Sequence, residues 1–193
     1  MSFAVLPRSA AWRHLGAREG FEVVFARSGT AGPAFDGSTS AVEGGEPWFV
    51  GYALELARDW STVGAVVRNR SADGAGEVRL RSDRSGGWLI DGSPAPHLDG
   101  CLDVDLESSS LTNAFPVHRL GLDVGQAAEA PAAYVRALDL NVQRLEQRYL
   151  RLPDAAGGLR YRYTSPQFDF ECELAYDRSG LVIDYPGIAV RAG

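Results

Sequence analysis

The chain of 193 residues contains no lysine, so all 19 of its basic residues are arginines. The 25 acidic residues outnumber them and give a formal net charge of −6 at pH 7. Nucleic acids and anionic membrane surfaces are both bound through positive patches that replace their counterions. The acidic balance therefore argues against general binding to either, and we expect no nucleic-acid partner.

Residues that commonly hold metals and cofactors are also scarce. The two cysteines, Cys101 and Cys172, are too far apart in sequence to indicate a disulfide scaffold or a metal site, and we expect reduced thiols. The three histidines, His14, His97 and His118, lack the spacing of metal ligands. Because no phosphate-binding loop or dinucleotide fingerprint occurs either, the sequence predicts neither a metal nor a cofactor.

Long apolar runs are missing as well. No stretch approaches the ~18 residues that a membrane-spanning helix needs. The first residues, MSFAVLPRSAAWRHLG, have no sustained apolar core of the kind found in signal peptides. We therefore expect no transmembrane segment and a cytoplasmic location.

What the chain does contain is a hydrophobic pattern of period two, which is typical of strands. Alternating segments occupy residues 21–27, 48–60, 63–70, 77–83, 86–93, 101–106, 117–124, 158–165, 168–177 and 181–191. Residues 29–47 are rich in Gly, Ser and Pro and predict a loop. About ten strands with short turns predict a mainly β fold with little helix: a single domain over residues 1–193, with an antiparallel sheet curled into a barrel or half-barrel.

One segment, residues 134–152, gives a conflicting signal. Its apolar residues recur at helical spacing and predict the best amphipathic helix in the chain.

The stretch CLDVDLESSSLTNAFPVHRL, residues 101–120, carries the densest polar chemistry. Asp103 and Asp105 share one face of a predicted strand. Asn and the residue before Pro both favour a bend over residues 111–116, which would return residues 117–124 antiparallel to the aspartate strand. His118 or Arg119 would then face an aspartate, either as an ordinary cross-strand pair or, inside a barrel, as a polar floor able to bind a headgroup.

Aromatic side chains with polar edges provide a second set of candidates. Trp88 and Tyr185 lie on predicted strands or at their ends. Most such rings should pack in the core, but they also suit the mouth of a lipid or sugar pocket, where one end is dry and the other wet.

Several motifs together resemble a bacterial family known as "putative glycolipid-binding", formerly a domain of unknown function. The matching stretches are Trp12 with Gly20-Phe21-Glu22, Gly51-Tyr52 with Arg58-Asp59-Trp60, Gly87-Trp88, residues 100–106, residues 111–120, Gln147-Arg148-Tyr149 and residues 180–187. They cover nearly the whole chain in order. Two departures occur: Ser109-Ser110-Leu111 replaces the start of a Thr-Pro-Phe-Thr-Asn run, and His118 replaces the first of two arginines.

The resemblance implies a barrel-like antiparallel fold similar to bacterial lipoprotein carriers, with a lipid-sized cavity. It also favours strands over a helix in residues 134–152. If the replaced arginine grips an anionic headgroup in the family, His118 would make that grip sensitive to pH, because histidine titrates near neutrality.

The sequence therefore favours a non-enzymatic protein that binds or carries a lipid or glycolipid, with acyl chains on the concave face of the sheet. The residues expected to bind the ligand are Asp103, Asp105, Thr112, Asn113, His118, Arg119, Trp88 and Tyr185. Two alternatives stay open: an enzyme that uses Asp103 or Asp105 as a general base beside His118, and a protein-interaction module that pairs through a sheet edge. A homodimer is compatible with the sequence.

Overall fold

The computed structural model describes residues 3–155 and 158–193. The first eight strands are β1 (Ser9–His14), β2 (Arg18–Ser28), β3 (Pro33–Glu43), β4 (Glu46–Leu56), β5 (Thr62–Ser71), β6 (Gly74–Ser82), β7 (Trp88–Ile90) and β8 (Ser93–Pro94). The others are β9 (Asp103–Leu106), β10 (Ala127–Glu129), β11 (Ala132–Val135), β12 (Val142–Leu145), β13 (Arg148–Ala155), β14 (Gly158–Ser165), β15 (Phe170–Tyr176), β16 (Val182–Tyr185) and β17 (Ala189–Arg191). The α-helix α1 (Ala114–Leu120) and three 3-10 helices (Pro96–Leu98, Leu111–Asn113 and Pro166–Phe168) account for the helical structure of the described residues.

Fourteen strands form one large sheet in the order β10-β13-β14-β15-β16-β17-β1-β2-β3-β4-β5-β6-β7-β8. Every pair of neighbours in it is antiparallel. The mainly β, antiparallel fold expected from the alternating pattern is thus confirmed. A second sheet has the order β12-β11-β9, in which β9 runs parallel to β11.

The large sheet curls around residues 101–120, which we name the internal segment. Strands far apart in the sheet order bond to this same segment. From β3, the Thr39 hydroxyl donates to the carbonyl of Ser108 at 2.6 Å, and from β13 the Tyr149 hydroxyl donates to Asn113 Oδ1 at 3.0 Å. Since six strands lie between β13 and β3 in the sheet order, the sheet must bend to bring both onto one segment.

The internal segment does not fold as the sequence predicted. The expected bend is a 3-10 helix, and the expected returning strand is α1, which ends where Gly121 adopts a left-handed conformation (φ 54°) and donates its N–H to the carbonyl of Val117. Pro116 lies in the first turn of the helix, where its missing N–H costs no internal hydrogen bond. The strand partner of β9 is therefore β11 and not residues 117–124.

The structure also decides three further expectations drawn from the sequence. Residues 29–47, predicted as a loop, contain β3, which pairs along its whole length with β2 and β4. Residues 134–152 form the end of β11, then β12 and most of β13, so the strands implied by the resemblance are confirmed and the helix is wrong. Both cysteines are free, as expected, and Cys101 is buried.

The buried side chains form two clusters. The first core cluster has thirty buried members, mainly from β1 to β6 and the internal segment, and includes a single tyrosine, Tyr52. The second core cluster has ten, mainly from β13 to β16, and five of them are tyrosines. Phe115 belongs to the first and Val117 to the second, so the internal segment separates the two. No helix among the described residues is both long and apolar enough to span a membrane.

Candidate ligand pocket

A cavity of about 310 Å³ lies beside the internal segment, on the side of the second core cluster. Its walls come from the β1–β2 turn, the end of β9, β11, and the β14–β15 connection. Cavities that bind small molecules usually measure about 300–1,000 Å³ and combine apolar walls with a few converging polar groups. This cavity meets both criteria, since aromatic rings and buried polar side chains both line it.

One wall is aromatic and runs from the protein surface to the interior. Phe168 is 52% exposed, whereas Tyr163 and Tyr185 are buried. The ring centroids of Tyr134 and Phe168 are 5.6 Å apart, and those of Tyr163, Phe170 and Tyr185 lie 6.1–6.2 Å from one another. The tilted and edge-to-face geometry is the favoured one for aromatic pairs, so this wall is a stable apolar surface.

Another part of the lining, which we call the polar wall, contains buried polar groups that have no partner in the protein. Both ring nitrogens of His14 and the hydroxyl of Ser110 lack a hydrogen bond, although the two residues are only 4% and 1% exposed. Burial, with a smaller contribution from the charge of Arg18, lowers the pKa of His14 to about 4. The imidazole is therefore neutral at pH 7, with one N–H donor and one acceptor nitrogen.

Asp105 also lines the cavity, paired with Tyr134 on the neighbouring strand, and Thr112 positions it. The Thr112 hydroxyl donates to Asp105 Oδ1 at 2.7 Å. Burial raises the pKa of Asp105 to about 6, the bond from Thr112 opposes the rise, and the charge of Asp103 adds to it. Thr112 thus acts through Asp105, which lines the pocket itself together with Asn113.

Asp103, two residues away on β9, has a different environment. Arg119 Nε donates to its Oδ1 at 3.0 Å, and Arg119 Nη2 donates to its Oδ2 at 2.6 Å. Burial raises the pKa of Asp103, and this two-point contact opposes the rise. The sequence predicted the pairing of an aspartate with residue 118 or 119, but the helix α1 supplies the arginine instead of a facing strand.

The positive charge at the pocket is also neutralised. Arg18 donates through Nη1 to the carbonyl of Glu107 at 2.8 Å, and its guanidinium lies 3.4 Å from a Glu107 carboxylate oxygen and 3.5 Å from one of Glu43. The guanidinium also lies 5.5 Å from the centre of the Trp48 ring. Arg18 therefore lines the pocket with its charge already engaged.

A buried carboxylate behind the pocket holds its polar wall in place. Glu22 on β2 is fully buried and accepts hydrogen bonds from the Tyr52 hydroxyl at 2.5 Å, from the Ser109 hydroxyl, and from the backbone N–H of Ser110 at 2.7 Å. Burial raises its pKa to about 7, against the effect of these bonds. Glu22 fixes the backbone at residues 109–110 and so leaves the Ser110 hydroxyl on the pocket side.

Of the expected ligand-binding residues, Asp103, Thr112 and Arg119 lie close to Asp105 without lining the pocket, and His118 and Trp88 lie elsewhere. His118 stacks on Trp60, with ring centroids 3.5 Å apart, and its Nε2 is 3.0 Å from the carbonyl of Ser179, to which it donates. Burial lowers its pKa to about 4. Within residues 3–155 and 158–193, no hydrogen bond joins His118 to Asp103 or Asp105.

Trp88 lines a separate cavity of about 590 Å³ at the β6–β8 end of the large sheet. Trp88 Nε1 donates there to the carbonyl of Cys101 at 2.9 Å, and Asp83 Oδ1 accepts from the backbone N–H groups of Ser85 and Gly87. Unlike the smaller cavity, this one has no buried polar side-chain atom without a partner among its described lining residues.

Sequence reasoning placed three of its expected residues, Asp105, Asn113 and Tyr185, directly on the pocket. It did not find His14, whose strand β1 was not predicted, or Arg18. The alternation of residues 168–177 puts Phe170, Leu174 and Tyr176 on one face of β15, and that pattern is the signal that could have identified the aromatic wall. Among the described residues, no group of three or more potential metal ligands lies together.

Taken together, the fold and the pocket define a curved antiparallel β protein with a small interior site. The chain belongs to the family described as "Putative glycolipid-binding", whose model matches residues 9–191. It is similar to a DUF1089 family protein from Pseudomonas aeruginosa, at 34% identity and a TM-score of 0.79, with 100% of this chain and 98% of the other covered.

A more distant likeness supports the fold alone. A β-barrel-like protein of a domain of unknown function, DUF1849, from Brucella abortus aligns with a TM-score of 0.56 at 9% identity, with 98% of this chain and 96% of the other covered. No functionally curated protein matches the chain.

Proposed function

We propose that this protein binds an amphiphile of the glycolipid kind in the 310 Å³ pocket. The observation that carries the proposal is that one cavity combines an aromatic surface with buried polar groups that have no partner in the protein. Such a pocket matches a molecule with an apolar part and a hydrogen-bonding head. The name of the family points in the same direction.

The position of the ligand differs from the expectation drawn from sequence. The apolar residues of the concave face, such as Val50 and Leu54, pack in the first core cluster together with Leu106 and Phe115 of the internal segment. Because the internal segment fills that space, acyl chains have no room there. In the proposed complex the headgroup occupies the pocket, and the apolar chain leaves it along the aromatic wall and over exposed Phe168.

The first experiment is extraction of the natively purified protein with organic solvent, followed by mass spectrometry of the extract. We expect a co-purifying amphiphile in an amount comparable to the protein. A protein that carries no amphiphile and also fails to bind octyl glucoside in calorimetric titration would refute the proposal.

A matched pair of variants tests the location. Phe168 and Phe25 are both large, exposed rings (52% and 59%), but only Phe168 lines the pocket. Phe168→Ser should weaken octyl glucoside binding by about tenfold, since it removes roughly half of a ring burial worth about 2 kcal/mol or more. Phe25→Ser should leave binding unchanged, and equal effects of the two variants would place the ligand elsewhere.

A further inference from the structure

The polar wall of the pocket contains hydrogen-bonding groups that the protein itself leaves unused. His14 comes from the end of β1 and Ser110 from the internal segment, yet both reach the same cavity. Neither ring nitrogen of His14 has a partner, and the Ser110 hydroxyl has none. Buried polar groups without partners are rare in folded proteins and are costly to keep, which suggests that a ligand supplies the missing bonds.

The types of these groups specify the chemistry of the missing partner. A neutral imidazole and a hydroxyl each combine a donor with an acceptor, and the Asp105 carboxylate beside them is an acceptor. A ligand hydroxyl also donates and accepts at one atom, so several hydroxyls on neighbouring carbons can satisfy all three side chains at once.

The charges around the pocket oppose an anionic ligand. Its charged lining residues are Arg18, Asp105 and Glu107, and His14 and the tyrosines are neutral at pH 7. Arg18 is occupied by Glu107 and Glu43, and Arg119, the nearby arginine of the internal segment, is occupied by Asp103. A phosphate or sulfate would therefore meet the Asp105 carboxylate without a free cation to balance it, at a cost that rises in a desolvated site.

We propose that His14, Ser110 and Asp105 form a headgroup subsite that selects an uncharged, polyhydroxylated headgroup and rejects an anionic one. This inference rests on the proposed function and makes it more specific. It also separates the protein from a carrier of anionic phospholipids.

The test compares ligands that share one chain and differ in the head: octyl glucoside, octyl phosphate and octyltrimethylammonium, each titrated calorimetrically below its critical micelle concentration at pH 7.5. We expect octyl glucoside to bind at least about tenfold more tightly than octyl phosphate. Equal binding of all three would overturn the headgroup assignment and leave the amphiphile pocket intact. Tightest binding of octyltrimethylammonium would replace the hydroxyl subsite with a cation site made by the rings and carboxylates, and binding of none would refute both proposals.

Variants of the subsite test whether His14 and Ser110 bind the ligand or only support the fold, because the two roles predict different changes in melting temperature and in binding. His14→Phe and Ser110→Ala remove groups that have no bonds in the free protein, so both should raise or maintain the melting temperature. They should nevertheless weaken octyl glucoside binding, by about tenfold for His14→Phe and about three- to tenfold for Ser110→Ala, and leave octyl phosphate binding unchanged.

Ser165→Ala is the matched control for the serine variant. Ser165 is also 1% exposed with an unpartnered hydroxyl, but it does not line the pocket. Its substitution should affect stability as Ser110→Ala does and leave binding unchanged. If Ser110→Ala and His14→Phe destabilise the protein and bind octyl glucoside normally, the two residues serve the fold and the assignment is wrong.

Discussion

The two core clusters differ in chemistry although one curved sheet builds both. The first core cluster fills its space with aliphatic side chains, tryptophan and phenylalanine, and its one tyrosine, Tyr52, bonds to Glu22. The second core cluster is half tyrosine, and its rings meet edge to face, as with Tyr161 and Tyr176 at 5.4 Å and an interplanar angle of 79°. The proposed ligand pocket lies beside the second core cluster.

The difference shows how one sheet can provide both a packed core and a binding site. Aliphatic side chains interlock at high density and leave few voids. Rigid rings with a polar edge leave gaps when they cannot interlock, and their hydroxyls need partners. In the second core cluster Asn113 supplies a partner to two of the five tyrosines: its side chain accepts from the Tyr149 hydroxyl, and its carbonyl accepts from the Tyr176 hydroxyl.

We expect the largest loss of stability from Phe115→Ala, which lies in the first core cluster. Phe115 is fully buried, and its ring centroid lies 5.7 Å from that of Phe35. The substitution should lower the free energy of unfolding by about 3–5 kcal/mol, through lost burial and the cavity left behind, as measured by urea denaturation. The exposed control Phe25→Ala should change it by less than about 0.5 kcal/mol. A loss below about 1 kcal/mol for Phe115→Ala would mean that the internal segment does not fill the first core cluster.

The next effect concerns the buried carboxyl beside that cluster. Because burial raises the pKa of Glu22 from 4.5 to about 7 in the folded protein, the folded state binds a proton more tightly than the unfolded state does. Stability from this group is therefore lost as the pH rises from about 4.5 to about 7, and regained on acidification. When the pH is lowered from 8 to 4.5, the free energy of unfolding of the wild type should rise relative to that of Glu22→Gln by up to about 3 kcal/mol.

The comparison with Glu22→Gln is needed because other groups titrate in the opposite direction. His14 and His118, whose pKa values are lowered to about 4, destabilise the folded state as the pH falls from about 6.5 to about 4. Both histidines are present in the wild type and in Glu22→Gln. Their contribution therefore cancels when the stabilities of the two proteins, measured by urea denaturation at each pH, are subtracted. A difference that stays constant from pH 8 to pH 4.5 would show that Glu22 titrates normally.

The smallest effects should come from single hydroxyls in the second core cluster. Tyr149→Phe removes a hydrogen bond to Asn113 and should cost about 1 kcal/mol. Tyr161→Phe removes a hydroxyl that has no partner and should leave the free energy of unfolding unchanged or slightly higher. Thermal unfolding of the two variants in parallel measures the contrast, and equal losses would show that the Tyr161 hydroxyl has a partner after all.

The errors of the sequence-based prediction have identifiable physical causes. In β3, one of the glycines that suggested a loop is required by packing, because a side chain at Gly37 would collide with the ring of Tyr52 on β4. In the internal segment, residues 117–124 alternate as a strand would, yet burial of Phe115 in one cluster and Val117 in the other is achieved by a short helix.

The pocket was predicted only in part for a similar reason. Asp105, Asn113 and Tyr185 could be proposed from the sequence because they belong to motifs rich in polar or aromatic residues, at residues 101–120 and 180–187. His14 did not, because nothing near it in sequence reveals that its two nitrogens would be buried without partners. That property depends on which residues of other strands lie around it.

The amino-acid sequence by itself determined that the protein is mainly β, because alternation of apolar and polar residues is a local property that fixes which face of each strand is buried. The family membership follows from motifs spread over nearly the whole chain. Only the tertiary structure decided that the sheet curls around the internal segment, that Asp103 is paired with Arg119 while Asp105 lines a cavity, and that His14 and Ser110 line the same cavity. Those outcomes depend on long-range packing and desolvation, which arise only when distant segments are brought together.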